Sequence, residues 1–190
     1  MNLKETTREL NNFAKNVIKI SKENLKKRGY KGKSKNVTGG LERSLSYNLK
    51  VSPNSFQLQF LYNDYGEYVD AGVDGVKKRH GQRKYKLPTF KYKSGGGKQG
   101  LKGMPPTSSI LKWVNKRGLR LRNKETGQFM KGGQQSLAFV IARSIFQKGF
   151  KPSYFFSDAF DKAFKKIDKK LIEKYALDVE AFLDYTLPTK

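Results

Sequence analysis

From Phe160 to Phe182 one apolar stripe runs without a break: Phe160, Ala163, Phe164, Ile167, Leu171, Tyr175, Val179 and Phe182. Steps of three and four residues put all of them on one side of an α-helix. The helix is expected over 157–185, started by Ser157 or Asp158 as cap. Its length is then about 42 Å, at about 1.5 Å per residue. A chain of 190 residues makes one domain of ordinary size. Such a domain cannot cover both ends of a helix that long, so part of the stripe is expected either to meet another subunit or to belong to a kinked helix folded over its own sheet.

A second amphipathic helix is expected over 3–28. Leu3, Leu10, Phe13, Val17 and Ile20 share a stripe, and Gly29 follows Lys26-Lys27-Arg28 as a stop. Residues 30–40 read as a linker. Leu45, Tyr47, Leu49 and Val51 then alternate with polar residues. After Ser52-Pro53-Asn54, Phe56, Leu58, Phe60 and Tyr62 alternate again. Two period-two runs around a Pro-Asn turn predict a β-hairpin with one buried face. Asp64 can cap a short helix that Gly72 ends, with Tyr65, Tyr68, Val69 and Gly72 inward. Thr107 or Ser108 opens a helix bearing Ile110, Leu111, Trp113 and Val114, closed by Gly118. A small hairpin is possible around Asn123–Gly127. Residues 134–148 read as a helix with Leu137, Val140, Ile141 and Ile145 on one side and Gly149 as its stop. Phe150-Lys151-Pro152-Ser153-Tyr154-Phe155-Phe156 is an aromatic joint broken by proline. The expected class is α+β: a small antiparallel sheet packed against the N-terminal helix and the long C-terminal helix, as one domain over 1–190 with a long basic insertion at about 73–135. No repeat of 20–50 residues is present.

The charge is concentrated. Forty Lys and Arg face sixteen Asp and Glu, a net charge of +24. Sixteen of the cations fall between Gly75 and Lys124, where there is no acid at all. Concentrated positive charge favours an anionic partner, where an even spread would serve only solubility. Within that stretch Lys77, Lys78, Arg79, Arg83, Lys84, Lys86, Lys91 and Lys93 are the candidate contacts to nucleic acid or to an acidic partner. Tyr85, Leu87, Phe90 and Tyr92 are interleaved with them. Such rings can stack on bases, but anchoring the loop on the core is the better reading.

Enzymatic chemistry finds little to work with. No cysteine is present, which excludes disulfides, cysteine-ligated zinc and thiol catalysis. The single histidine, His80, sits among cations, with Asp74 the nearest carboxylate in sequence. Asp64, Glu67, Asp70 and Asp74 cluster but lack a calcium-loop pattern. Gly95-Gly96-Gly97-Lys98-Gln99-Gly100 lacks the phosphate-loop spacing and any apolar strand before it. No catalytic residue, metal or cofactor is expected. No run of 18 apolar residues exists, and Met1-Asn2-Leu3-Lys4-Glu5 begins no apolar leader, so no membrane span or secretory signal is expected.

Three segments, in order, resemble a known family. Thr38-Gly39-Gly40-Leu41-Glu42-Arg43-Ser44-Leu45 is similar to its Thr-Gly-x-Leu-x-x-Ser-Ile entry to the first strand. Tyr65-Gly66-Glu67-Tyr68-Val69-Asp70-Ala71-Gly72 is similar to its Tyr-Ala-x-Tyr-Val-Glu-x-Gly segment. Lys151-Pro152-Ser153-Tyr154-Phe155-Phe156-Ser157-Asp158-Ala159-Phe160 resembles its Arg-Pro-Phe-(Leu/Phe)-x-Pro-Ala joint. The family is the tailed-phage tail-completion and head–tail joining (neck) proteins, including the minor tail protein Z type. This chain departs from it at Asp158, where the family usually has Pro, and in the longer, more basic insert at 73–135. The resemblance implies a non-enzymatic virion protein, made in the host cytoplasm. It would form a ring of six or twelve copies in the neck, around the channel for genomic double-stranded DNA and beside portal, connector or tail proteins. Tyr65, Tyr68, Tyr154, Phe155, Phe156, Phe160, Tyr175 and Phe182 are the expected assembly residues. The alternative is a standalone, non-specific nucleic-acid-binding protein.

Overall fold

The computed structural model describes residues 3–27, 39–52, 55–93, 103–130 and 132–186. The expected Gly29 stop, the linker up to residue 38, the Pro53-Asn54 turn and the glycine run at 95–97 lie outside them. The fold is α+β, as expected. In chain order its elements are α1 (Lys4–Lys27), α2 (Gly40–Ser44), β1 (Ser46–Ser52), β2 (Ser55–Leu61), α3 (Tyr65–Ala71), β3 (Val73–Asp74), β4 (Phe90–Lys91), α4 (Thr107–Lys116), α5 (Gln134–Lys148), β5 (Gly149–Phe150) and α6 (Ser157–Thr186). They divide into two compact units: residues up to Gly66 together with those from Tyr154 onward, and Glu67–Ser153.

The first unit is built on α1 and α6. Leu10, Phe13 and Val17 of α1 pack with Ala163 and Ile167 of α6, and Leu49, Leu58, Phe60, Phe156 and Leu171 close over them. The strands pair antiparallel, with Leu49 opposite Leu58 and Tyr47 opposite Phe60. Their alternation buries the expected face near the helices, and burial fades toward the hairpin tip, where Val51 and Phe56 stand exposed. Aromatic edges tie the layers: Phe13 meets Phe60 and Phe160 at 6.3 and 5.7 Å between ring centres, and Phe60 meets Phe156 at 5.3 Å. Edge-to-face contacts of this kind suit the ring quadrupole.

The far end of α6 fastens the start of α1. Asp178, 6% exposed, accepts the Thr6 backbone N–H at 2.8 Å, the Thr6 hydroxyl at 2.6 Å and the Glu5 N–H at 3.2 Å. First-turn N–H groups of a helix have no intrahelical partner, and a carboxylate there also meets the positive end of the helix dipole. Burial pushes the Asp178 carboxyl up, but the bonds from the Thr6 hydroxyl, the Thr6 N–H and the Glu5 N–H together outweigh it and hold the group below its ordinary value.

One inward face differs from expectation. On α3, Tyr65 and Tyr68 are 47% and 45% exposed, while Gly66, Asp70 and Ala71 are buried. A side chain at 66 would collide with the Tyr62 ring and Leu41, so only glycine fits there. Gly72 ends α3 with φ +71°.

The second unit holds α4, α5 and a three-stranded sheet of order β4-β3-β5, in which β4 runs parallel and β5 antiparallel to β3. Helix α5 occupies the expected residues, but its buried line is Ala138, Ala142 and Phe146, and Val140 is 58% exposed. Helix α4 packs on α5, and Leu137, Ile141 and Ile145 are only half-buried beside that line. Helix α4 takes Pro106 as its N-cap, without a side-chain bond from Thr107 or Ser108. The small hairpin forms, with Arg122 bridged to Phe129 and Gly127 N–H donating to the Asn123 carbonyl.

Two outcomes follow for urea melts. Phe13→Ala, in the core, lowers stability by about 3–5 kcal/mol, whereas Phe164→Ala, 53% exposed, changes it by no more than about 0.5 kcal/mol. For Asp178 the folded-state value is the lower one. Its stabilisation is therefore complete above the ordinary value of 3.8 and is lost as pH falls below that through the folded value. Asp178→Asn flattens that part of the acid-unfolding profile.

Candidate polyanion-binding and assembly surfaces

The basic insert is rooted by a buried carboxylate–guanidinium pair. Asp74 on β3 accepts the His80 backbone N–H at 2.9 Å, and the Arg83 guanidinium lies 3.6 Å from the same oxygen. Arg83 also donates to the Gly72 carbonyl at 3.4 Å. The Arg83 and Asp74 side chains are 8% and 12% exposed, so Arg83 is turned inward and serves the fold. Gly75 N–H donates to the Lys78 carbonyl, closing a tight turn, while Val76 and Lys77 N–H donate to Phe146 and Gln147 at the end of α5. Gly149 makes this seam possible: at φ +65° a Cβ there would overlap the Val73 carbonyl oxygen.

With the backbone held, the other seven candidate cations project outward. Lys77, Lys78, Arg79, Lys84, Lys86, Lys91 and Lys93 are all exposed. The interleaved Tyr85, Leu87, Phe90 and Tyr92 are half-buried instead. Phe90 lies on Tyr68 at 4.3 Å and Tyr92 against Phe146 at 5.7 Å, so these two rings anchor the loop. Burial pushes the Tyr92 phenol above its ordinary value. Lys84 sits 4.9 Å over the Tyr85 ring. Among the described residues no group of three or more His, Asp or Glu is placed to hold a metal, and no helix is long and apolar enough to cross a membrane.

The expected assembly residues divide. Phe155 is fully buried, against Tyr62 at 6.2 Å, and Phe156 and Tyr154 are half-buried. Phe155 therefore belongs to the core, and Tyr154 carries the joint's backbone strain at φ +51°. Tyr65, Tyr68, Phe160, Tyr175 and Phe182 are exposed. They are joined by residues that the stripe did not single out: Ile172 at 68%, Leu183 at 48% and the hairpin-tip Val51 and Phe56, with Phe56 meeting Tyr175 at 6.4 Å. The lines from Phe164 through Tyr175 to Phe182 form an apolar flank of α6 beside the one that α1 covers.

Segment-by-segment charge counting also hides a surface. Lys4, Arg8, Lys15, Lys19, Lys22 and Lys26 recur at helical steps on α1, while Glu5, Glu9 and Glu23 cancel part of their sum. Helical phase, applied to charge as well as to apolar residues, is the signal that finds it.

No protein-family model, curated protein or solved structure matches the chain.

Arg83→Ala leaves Asp74 buried beside an empty cavity and lowers the melting stability by about 3 kcal/mol or more. The Lys77→Ala/Lys78→Ala pair changes it by less than about 0.5 kcal/mol. Comparing the two melts separates the cation that roots the insert from those that face outward.

Proposed function

We propose that this chain is a structural subunit of a tailed-phage neck, closing into a homomeric ring of the tail-completion or head–tail joining kind around the DNA channel. The observation that carries the reading is the uncovered apolar flank of α6. Phe164, Ile172, Tyr175, Phe182 and Leu183 are each more than a third exposed along one helix. Contiguous apolar surface of this sort favours burial against another protein surface. Ring closure by repeated contacts between unlike faces would cover it in every copy. The outward lysines of the insert fit the same role, since a lumen that passes any genome sequence needs phosphate attraction without base reading. The ordered resemblance in 38–45, 65–72 and 151–160 directs the choice toward the phage neck.

A standalone nucleic-acid-binding protein is the rival reading, favoured by the exposed cations alone. It needs no self-association.

Negative-stain electron microscopy and light scattering of the purified chain separate the two. Annular particles are expected for the native protein, and monomers for Phe164→Asp/Tyr175→Asp, with an unchanged circular dichroism spectrum. A native protein that stays monomeric at tens of micromolar and is missing from virions overturns the neck reading.

A further inference from the structure

We infer that α1 carries a second polyanion site, separate from the insert: a row of cations that seats the phosphate backbone of duplex nucleic acid. At about 100° per residue, Lys4, Arg8, Lys15, Lys19, Lys22 and Lys26 fall within about 60° of arc. The row runs about 33 Å along the helix. It lies away from the buried line of Leu10, Ala14, Val17 and Ser21. Five of the six are exposed and Lys22 is half-buried.

A merely solvated face would mix its signs. Here the acids Glu5, Glu9 and Glu23 keep to one flank, and none of them enters the row. Lys4 with Arg8, Lys15 with Lys19, and Lys22 with Lys26 are like-charge neighbours four residues apart, which is unfavourable for the helix on its own. Of these six cations, and among the described residues, Lys26 alone has a carboxylate within ion-pair distance, Glu42 at 3.0 Å. An external polyanion relieves all three repulsions together.

Four of the cations, together with Glu23, also line a groove of about 630 Å³, opposite Glu42, Leu45, Ser46 and Tyr47. Its floor is apolar, from Ile18, Leu45 and Tyr47, and the Tyr47 hydroxyl is occupied by Asn11 at 2.9 Å. A strand laid there sets phosphates on the lysines and its sugar edge on that floor. A second copy is a poor occupant, because each copy brings net charge of +24. Its helix α6 carries six lysines among its acids.

The site does not rest on the neck reading. The test is anisotropy of a fluorescent 30-base-pair duplex of arbitrary sequence, titrated with the full chain across a KCl series. Lys15→Gln/Lys19→Gln/Lys22→Gln is expected to bind at least tenfold more weakly at 100 mM KCl. Its log–log salt slope should fall by about 2.7, at about 0.9 per phosphate contact. Lys162→Gln/Lys166→Gln/Lys169→Gln, an equal charge loss on α6, should lose less than threefold. Single Lys19→Gln, with a slope smaller by about 0.9, keeps the test open should the triple fail to fold. Equal losses in both triples, or an unchanged α1 variant, overturn the proposal. So does polyglutamate that displaces the duplex as well, charge for charge, as unlabelled duplex does. Rings that persist while the α1 variant loses duplex leave the neck reading intact. A monomer missing from virions whose duplex binding depends on α1 removes the neck reading and leaves this site.

Discussion

Everything in the first unit depends on α1 lying along α6. The contact is apolar in its middle, through Phe13, Val17, Ala163 and Ile167, and polar at one end, where Asp178 takes up the first N–H groups of α1. Apolar burial supplies most of the driving force but little direction. The buried carboxylate supplies direction: it is satisfied only when Thr6 stands opposite, so it fixes how far one helix slides along the other. The hairpin then has one place to lie, over Phe13 and Phe160. The same register leaves the adjoining flank of α6 bare.

The second unit solves a different problem, holding an acid-free, strongly cationic segment in a defined path. It does so with very short strands and one inward arginine. Asp74 draws Arg83 and the His80 backbone toward itself, and a glycine seam lets β3 and the end of α5 touch. Because the anchoring falls to Asp74, Arg83 and the half-buried rings, Lys77, Lys78, Lys86, Lys91 and Lys93 stand exposed to whatever anion approaches.

Much of this was legible in the residues. The periods of α1, α5 and α6 and the alternation of the hairpin are carried by large apolar side chains whose spacing has one good solution. The α3 face was misread because pattern reading weights big residues, whereas Gly66, Asp70 and Ala71 are the buried ones. The α5 line was misread likewise: Ala138 and Ala142 are its buried residues, while the larger Val140 stands exposed. Phe155 looked like an assembly residue inside an aromatic run, yet nothing local tells which ring of the run turns inward. The pairing of Asp178 with Thr6 spans 172 residues and leaves no local trace. Arg83 was grouped with its neighbouring cations because charge counts do not reveal which one meets a buried carboxylate.

The first unit is discontinuous, and that shapes how the chain is born. Helix α1 leaves the ribosome before its packing partners Ala163 and Ile167, which come about 150 residues later. At about 5–20 residues per second, its oily side waits on the order of ten to thirty seconds while Glu67–Ser153, an unbroken stretch, can condense first. Nascent copies on one messenger thus carry sticky, half-finished helices side by side, and holdase chaperones would find their natural client in that interval.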